Sequence, residues 1–136
     1  MNNSACNLGA LLLRVISGSM MFILHGASKI KMIADGNFGD FPNPIGLGSA
    51  MSLYLSGITE TLFALFLVIG LFTRFSAFLL SFNMLIALYW IDSTGSTGGE
   101  LALLYFGMYL LILLFGGGNI SVDNFIERWK SSKNKL

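Results

Sequence analysis

Between Leu8 and Phe115 the chain is four long apolar stretches, and the few charged residues are concentrated in the polar joints between them, with a handful of exceptions. A membrane-crossing helix needs roughly 20 mostly apolar residues. The stretches at about 8–27, 47–72, 75–91 and 100–115 meet or approach that length. Only 11% of the residues are charged, against about a quarter in soluble domains, so a water-facing surface would lack the charge it needs. With 136 residues there is room for one domain. The expected fold is all-α: an integral membrane four-helix bundle occupying 1–136, with a short interfacial C-terminal helix at 120–130.

The joints carry turn chemistry. Asp35-Gly36-Asn37 and Pro42-Asn43-Pro44 mark a loop, as does the Ser/Thr/Gly segment from Asp92 to Gly99, and Gly116-Gly117-Gly118 stops the fourth helix. Met1 to Leu13 holds no Lys or Arg, so the first stretch is read as a retained helix rather than a secretory signal. In the tail, Ser121 can cap a helix that places Val122, Phe125, Ile126 and Trp129 on one side. Such a helix suits the membrane surface, with Trp129 at headgroup level. Loop charge sets orientation. Arg74, Arg128, Lys130, Lys133 and Lys135 share one side, and Lys29 and Lys31 the other. The positive-inside rule then places both termini in the cytoplasm.

Composition also excludes chemistry. The single cysteine, Cys6, supports neither an internal disulfide nor a CxxC thiol relay, and the single histidine, His25, cannot supply a histidine-rich metal site. No haem, flavin or metal motif is present, and a net charge of +1 gives no support for nucleic-acid binding.

The informative residues are the polar ones inside the apolar stretches: Arg14, His25, Glu60 and Asn83, with Glu100 at the edge of the fourth. Ionisable groups in lipid are costly, face the bundle interior and mark candidate sites. Arg14 alone costs about 2.5–3.5 kcal/mol on the insertion scale, and the apolar residues from Leu8 to Leu24 return only roughly 3–5 kcal/mol, so partners must help. At about 100° per residue, Arg14, Gly18, Met21 and His25 form one stripe, with Lys29 close to it. Ser49, Leu53, Ser56, Gly57, Glu60 and Ala64 form a second, of mostly small residues that suit close approach. Asn83 shares a face with Ser76, Ala87 and Trp90. Depth along the helices leads us to expect an Arg14–Glu60 ion pair with Asn83 beside Glu60. It also leads us to expect His25 meeting Glu100 at the opposite end, with Lys29, Trp90 and Asp92 at that level. Three plain alternatives stand beside these readings: an inert clasp fixing helix register, a His25 that is only hydrogen-bonded packing, and a Glu100 placed only to suit the helix dipole.

The ordered set Leu13-Arg14, Gly18, Phe22, His25-Gly26 and Lys29, then Glu60, Gly70-Leu71-Phe72-Thr73-Arg74, Asn83-Met84 and Gly98-Gly99-Glu100-Leu101-Ala102-Leu103-Leu104-Tyr105 resembles the DoxX family of bacterial membrane proteins. The resemblance runs from about Leu11 to Asp123 without a major departure. It implies a four-helix inner-membrane protein associated with redox complexes, including thiosulfate:quinone oxidoreductase and oxidative-stress assemblies. The expected role is a membrane subunit linked to quinone or to a redox partner protein. Arg14, Asn83 and His25 would donate hydrogen bonds, and Glu60 and Glu100 would relay protons. The competing reading is a non-catalytic scaffold or assembly factor. A transporter ranks last, because four spans leave no room for the usual inverted repeats. Small residues on the helix faces permit a homo-oligomer, with the lipid bilayer as the constant partner.

Overall fold

The computed structural model describes residues 3–133, which form an all-α bundle. Helix α1 is continuous through Asn3–Met20, Met21–Gly26 and Ala27–Ala34; α2 comprises Ser49–Ile58, Thr59–Phe63 and Ala64–Ile69. Then come α3 (Thr73–Thr94), α4 (Gly99–Phe115) and α5 (Val122–Lys133). The spans Ser4–Ala34, Ser49–Ile69 and Thr73–Thr94 are each long and apolar enough to cross a membrane; Gly99–Phe115 is apolar but shorter, at 17 residues. Helix α1 packs on α2 and α4, and α3 packs on α2 and, most extensively, on α4. The ring encloses Met21, Leu53, Leu67, Leu80, Tyr109 and Ile112. Its outside is apolar as well: Leu104 is 65%, Leu114 70% and Phe82 54% exposed. A surface of that kind is stable against acyl chains, not water.

Several boundaries move from the sequence expectation. Helix α1 starts at Asn3 rather than at 8, and α3 runs on to Thr94, taking residues 92–94 from the expected loop because nothing there breaks a helix before Gly95. Helix α1 continues past residue 27 to Ala34 before the left-handed Gly36 (φ 69°) turns the chain. None of Ser28, Lys29 and Lys31 breaks a helix. Lys29 points into the bundle, while Lys31 stays exposed. The joint after α2 lies at 70–72 rather than at Thr73-Arg74. Gly70 takes φ 77°, Phe72 the left-handed φ 46°, and α3 starts at Thr73.

The expected small-residue stripe of α2 does lie close to α1, and glycines of α1 make the approach possible. A Cβ on Gly18 would meet Ala64 O at 2.9 Å, and one on Gly26 would meet Glu60 O at 2.5 Å. Only glycine permits this α1–α2 approach. Both helices also contain a π turn, Met21–Gly26 and Thr59–Phe63, and the two turns pack against each other. Such insertions rotate the residues that follow them and concentrate at functional positions.

Candidate functional site

Glu60 lies in the π turn of α2, 4% exposed, and its carboxylate collects donors from three helices. Lys29 Nζ from α1 forms an ion pair with Oε2. Ser56 Oγ, one turn earlier on α2, donates to Oε1 at 2.9 Å. Asn83 Nδ2 from α3 donates to the same oxygen at 2.7 Å. Three of roughly four acceptor positions on a carboxylate are thereby used. A buried charge needs this level of pairing to persist in hydrocarbon.

This cluster floors a cleft of about 250 Å³ between α2 and α3. Its walls are mainly apolar, with Leu55 on one side and Ile86 and Trp90 on the other, and the loop residues Phe41, Pro42 and Ile45 close over it. The Lys29 ammonium also lies 5.9 Å from the Phe41 ring centre, a cation–π contact that holds the loop over the floor. Ser52, one turn above Ser56, lines the same cleft; its hydroxyl is buried without a partner among the described residues. A ligand pocket has this composition: apolar walls, with a few polar groups that fix orientation.

The Arg14–Glu60 pair does not form. Gly18 opposes Ala64 and Val68, and Gly26 opposes Glu60, so Arg14 lies twelve residues, about 18 Å at 1.5 Å per residue, from the level of Glu60. A guanidinium cannot span that. Depth along each helix pairs Glu60 with Asn83, but interhelix register depends on which glycines meet. Fully buried, Arg14 turns to the other end of the bundle. Its Nη2 donates to Ile120 O at 2.5 Å and its Nη1 to Leu67 O at 3.4 Å.

At that end Asp123, from the first turn of α5, accepts hydrogen bonds from the Phe72 and Thr73 amides, both at 2.8 Å. Its own amide donates to Gly70 O at 3.0 Å. The tail thus supplies the N-terminal cap of α3 from outside α3. Ser121 caps α5 as expected, accepting from the Asn124 amide at 3.2 Å. Lys135, counted in the charge argument, lies outside the described residues.

His25 and Glu100 do not meet either. Glu100 is exposed in the first turn of α4, where the helix dipole favours it. Half-buried His25 instead meets Tyr105 edge to face, ring centres 5.6 Å apart. Asp92 is exposed near the end of α3. Of the expected polar pocket, Glu60 and Asn83 come together and Arg14 and Glu100 stay apart. Lys29 and Trp90, expected only as outer contributors, belong to the centre. Sequence reasoning missed Phe41, Ser52 and the α4 tyrosines Tyr105 and Tyr109, which are 2% and 0% exposed. Their spacing of four on a helix otherwise lined with Leu, Ile and Phe was the available signal. Among the described residues no group of three or more His, Cys, Asp or Glu could share a metal ion.

The family model described as DoxX matches residues 9–93, a segment that contains Lys29, Glu60 and Asn83. An uncharacterized protein of Haemophilus influenzae is 34% identical over 116 residues, covering 76% of this chain and 81% of the relative. No solved structure matches.

Proposed function

This chain belongs to the DoxX family, and on the geometry of its cleft we propose that it is a redox-associated membrane subunit that takes a quinone, or the redox group of a partner protein, above Glu60. The observation that carries the reading is a carboxylate 4% exposed, paired with Lys29 and Asn83, on the floor of an apolar cleft. A purely structural ion pair has no need of a cleft beside it.

The residues fit a quinone. A quinone supplies a flat apolar ring, two carbonyl acceptors and a demand for protons on reduction. Lys29 keeps N–H donors beyond the one given to Glu60, and the buried Ser52 hydroxyl has no protein partner among the described residues. Ile86, Leu55 and Trp90 exclude water from the ring's position. Glu60 holds the Lys29 ammonium in place and can receive or return a proton. On this reading Gly99–Phe115 crosses as a fourth span, the termini are cytoplasmic, and the chain sits in the bacterial inner membrane.

Trp90 provides the test, because the chain has two tryptophans and Trp129 lies on the exposed tail helix. In a Trp129→Phe background, a short-chain benzoquinone should quench Trp90 fluorescence saturably. Glu60→Gln and Lys29→Met should each weaken that quenching at least tenfold. Absence of saturable quenching in detergent and in liposomes, together with no partner on mild-detergent pull-down, would sink the proposal.

The scaffold reading draws on one observation of its own. Arg14 and Asp123 bind only backbone groups and tie the tail to the bundle, which is assembly rather than chemistry. It predicts that a neutral Lys29→Met/Glu60→Gln pair keeps every cellular function.

A further inference from the structure

The cleft above Glu60 has a closed end and an open side. Its water-facing end is covered by the loop between α1 and α2, and that loop is tied down. Asn37 Nδ2 donates to Asp40 Oδ2 at 2.7 Å, and the Gly48 amide donates to Asn43 Oδ1 at 3.0 Å. The Phe38 ring meets Tyr54 of α2, centres 5.6 Å apart, and the Phe41 ring lies against the Lys29 ammonium. These ties must yield before the loop can lift.

The side is different. Helix α3 packs on Thr59–Phe63 and Ala64–Ile69, while the outer part of α2, Ser49–Ile58, packs chiefly on Ala27–Ala34 of α1. The two neighbouring helices separate above Glu60, and the cleft is the gap between them. Its lining shows which way it faces. On α2, Leu53 is fully buried in the bundle, whereas Leu55, which lines the cleft, is 48% exposed. Two residues are about 200° apart on a helix, so the cleft lies on the outward flank of α2. Glu60 stands near the middle of the span Ser49–Ile69, where the surrounding medium is hydrocarbon.

Ser52 marks the outer end of the gap. Serines and threonines within helices can return their hydroxyls to a carbonyl one turn back, as Ser17, Thr59 and Thr61 do here. Ser52 does not. Its hydroxyl is buried and without a partner among the described residues, on a residue that lines the cleft. Ser52 precedes Glu60 by eight residues, about 12 Å along α2. Polar groups thus stand at both ends of an apolar slot whose free side is lipid.

The geometry points to a site loaded sideways from the bilayer. Its ligand is a membrane-dissolved amphiphile whose flat, polar-edged ring lies between Lys29 and Ser52, and whose hydrocarbon chain leaves between Leu55 and Ile86. This rests on the quinone reading above, and within it selects a chain-bearing lipid quinone over the redox group of a partner protein. A group arriving from water would have to lift the braced loop; a ring arriving from lipid needs only the gap. The chain stays in hydrocarbon throughout, so binding does not have to strip it from its solvent.

Trp90 lines the cleft and reports on it in the full-length Trp129→Phe protein in liposomes. Phospholipid with brominated acyl chains should quench Trp90, and iodide on both sides of the membrane should not. Leu55→Phe and Ile86→Phe each thicken one lip of the gap, and each should cut the bromine quenching at least twofold. Iodide quenching as strong as that by bromine, or bromine quenching unaffected by both variants, would overturn sideways loading. A benzoquinone carrying a decyl chain should bind according to its mole fraction in the bilayer. Both lip variants should slow its association and its release at least tenfold. A damaged site would release the ligand faster, so slower release separates a narrowed doorway from a misfolded one. Binding that follows the aqueous concentration, or rates left unslowed, would also overturn the proposal. Bromine quenching as expected, with no quenching by the quinone, would establish the open side and sink the quinone reading alone.

Discussion

Two buried polar centres sit about 18 Å apart along α1, and they solve the problem of charge in hydrocarbon in opposite ways. Arg14 is sealed: it is 0% exposed and bonds only the backbone carbonyls of Leu67 and Ile120, its Nε without a partner among the described residues. Glu60 is paired with side chains, Lys29, Ser56 and Asn83, and has a cleft beside it. Backbone carbonyls are fixed in place by the chain on either side of them, whereas side-chain partners can swing away and be replaced by a ligand. The first arrangement holds elements together. The second leaves room for exchange.

The largest expected effect tests the sealed centre. Arg14→Met leaves the Ile120 carbonyl without its donor and should destabilise the protein by about 3 kcal/mol, the upper end for an unsatisfied buried acceptor, while molecules that still fold keep Trp90 quenching. Loss of quenching at unchanged stability would erase the distinction between the centres. Gly26→Ala comes next. The added methyl collides with Glu60 O, and overpacking of this kind costs about 1–3 kcal/mol. Because it displaces the Glu60 backbone, quenching should weaken along with thermal stability. Asp123→Ala removes the borrowed cap of α3 and should cost about 0.5–2 kcal/mol, seen as faster amide exchange at Phe72 and Thr73 with the cleft untouched. The smallest effect is the sharpest test of separation. Arg14→Met and Glu60→Gln should add within about 0.5 kcal/mol, as distant sites do, whereas Lys29→Met and Glu60→Gln should show clear coupling.

Face and sequence order were legible before any coordinates. The stripe from Gly18 through Met21 to His25, the small-residue face of α2, the Glu60–Asn83 contact and the Ser121 cap all follow from periodicity and local chemistry. Register between helices was not legible, because it depends on Gly18 and Gly26 meeting particular backbone atoms of α2. The error over Arg14 follows from that alone. The π turns carry no residue signature, yet they set the direction of Glu60 and of Lys29, which lies just beyond one of them. Tyr105 and Tyr109 passed as apolar positions because a hydropathy pattern weighs the ring and ignores the oxygen.

The unequal lengths of α1 and α4 have a consequence for the surrounding lipid. At 1.5 Å per residue, the 31-residue span of α1 is about 46 Å long and the 17 residues of α4 about 25 Å, against a hydrocarbon slab of about 30 Å. On the four-crossing reading, lipids beside α4 must thin while α1 projects beyond the slab or leans. Each ångström of such mismatch costs a fraction of a kcal/mol. The protein should therefore partition toward thinner bilayers, and lengthening the acyl chains of a reconstituted membrane should drive copies together along their short sides.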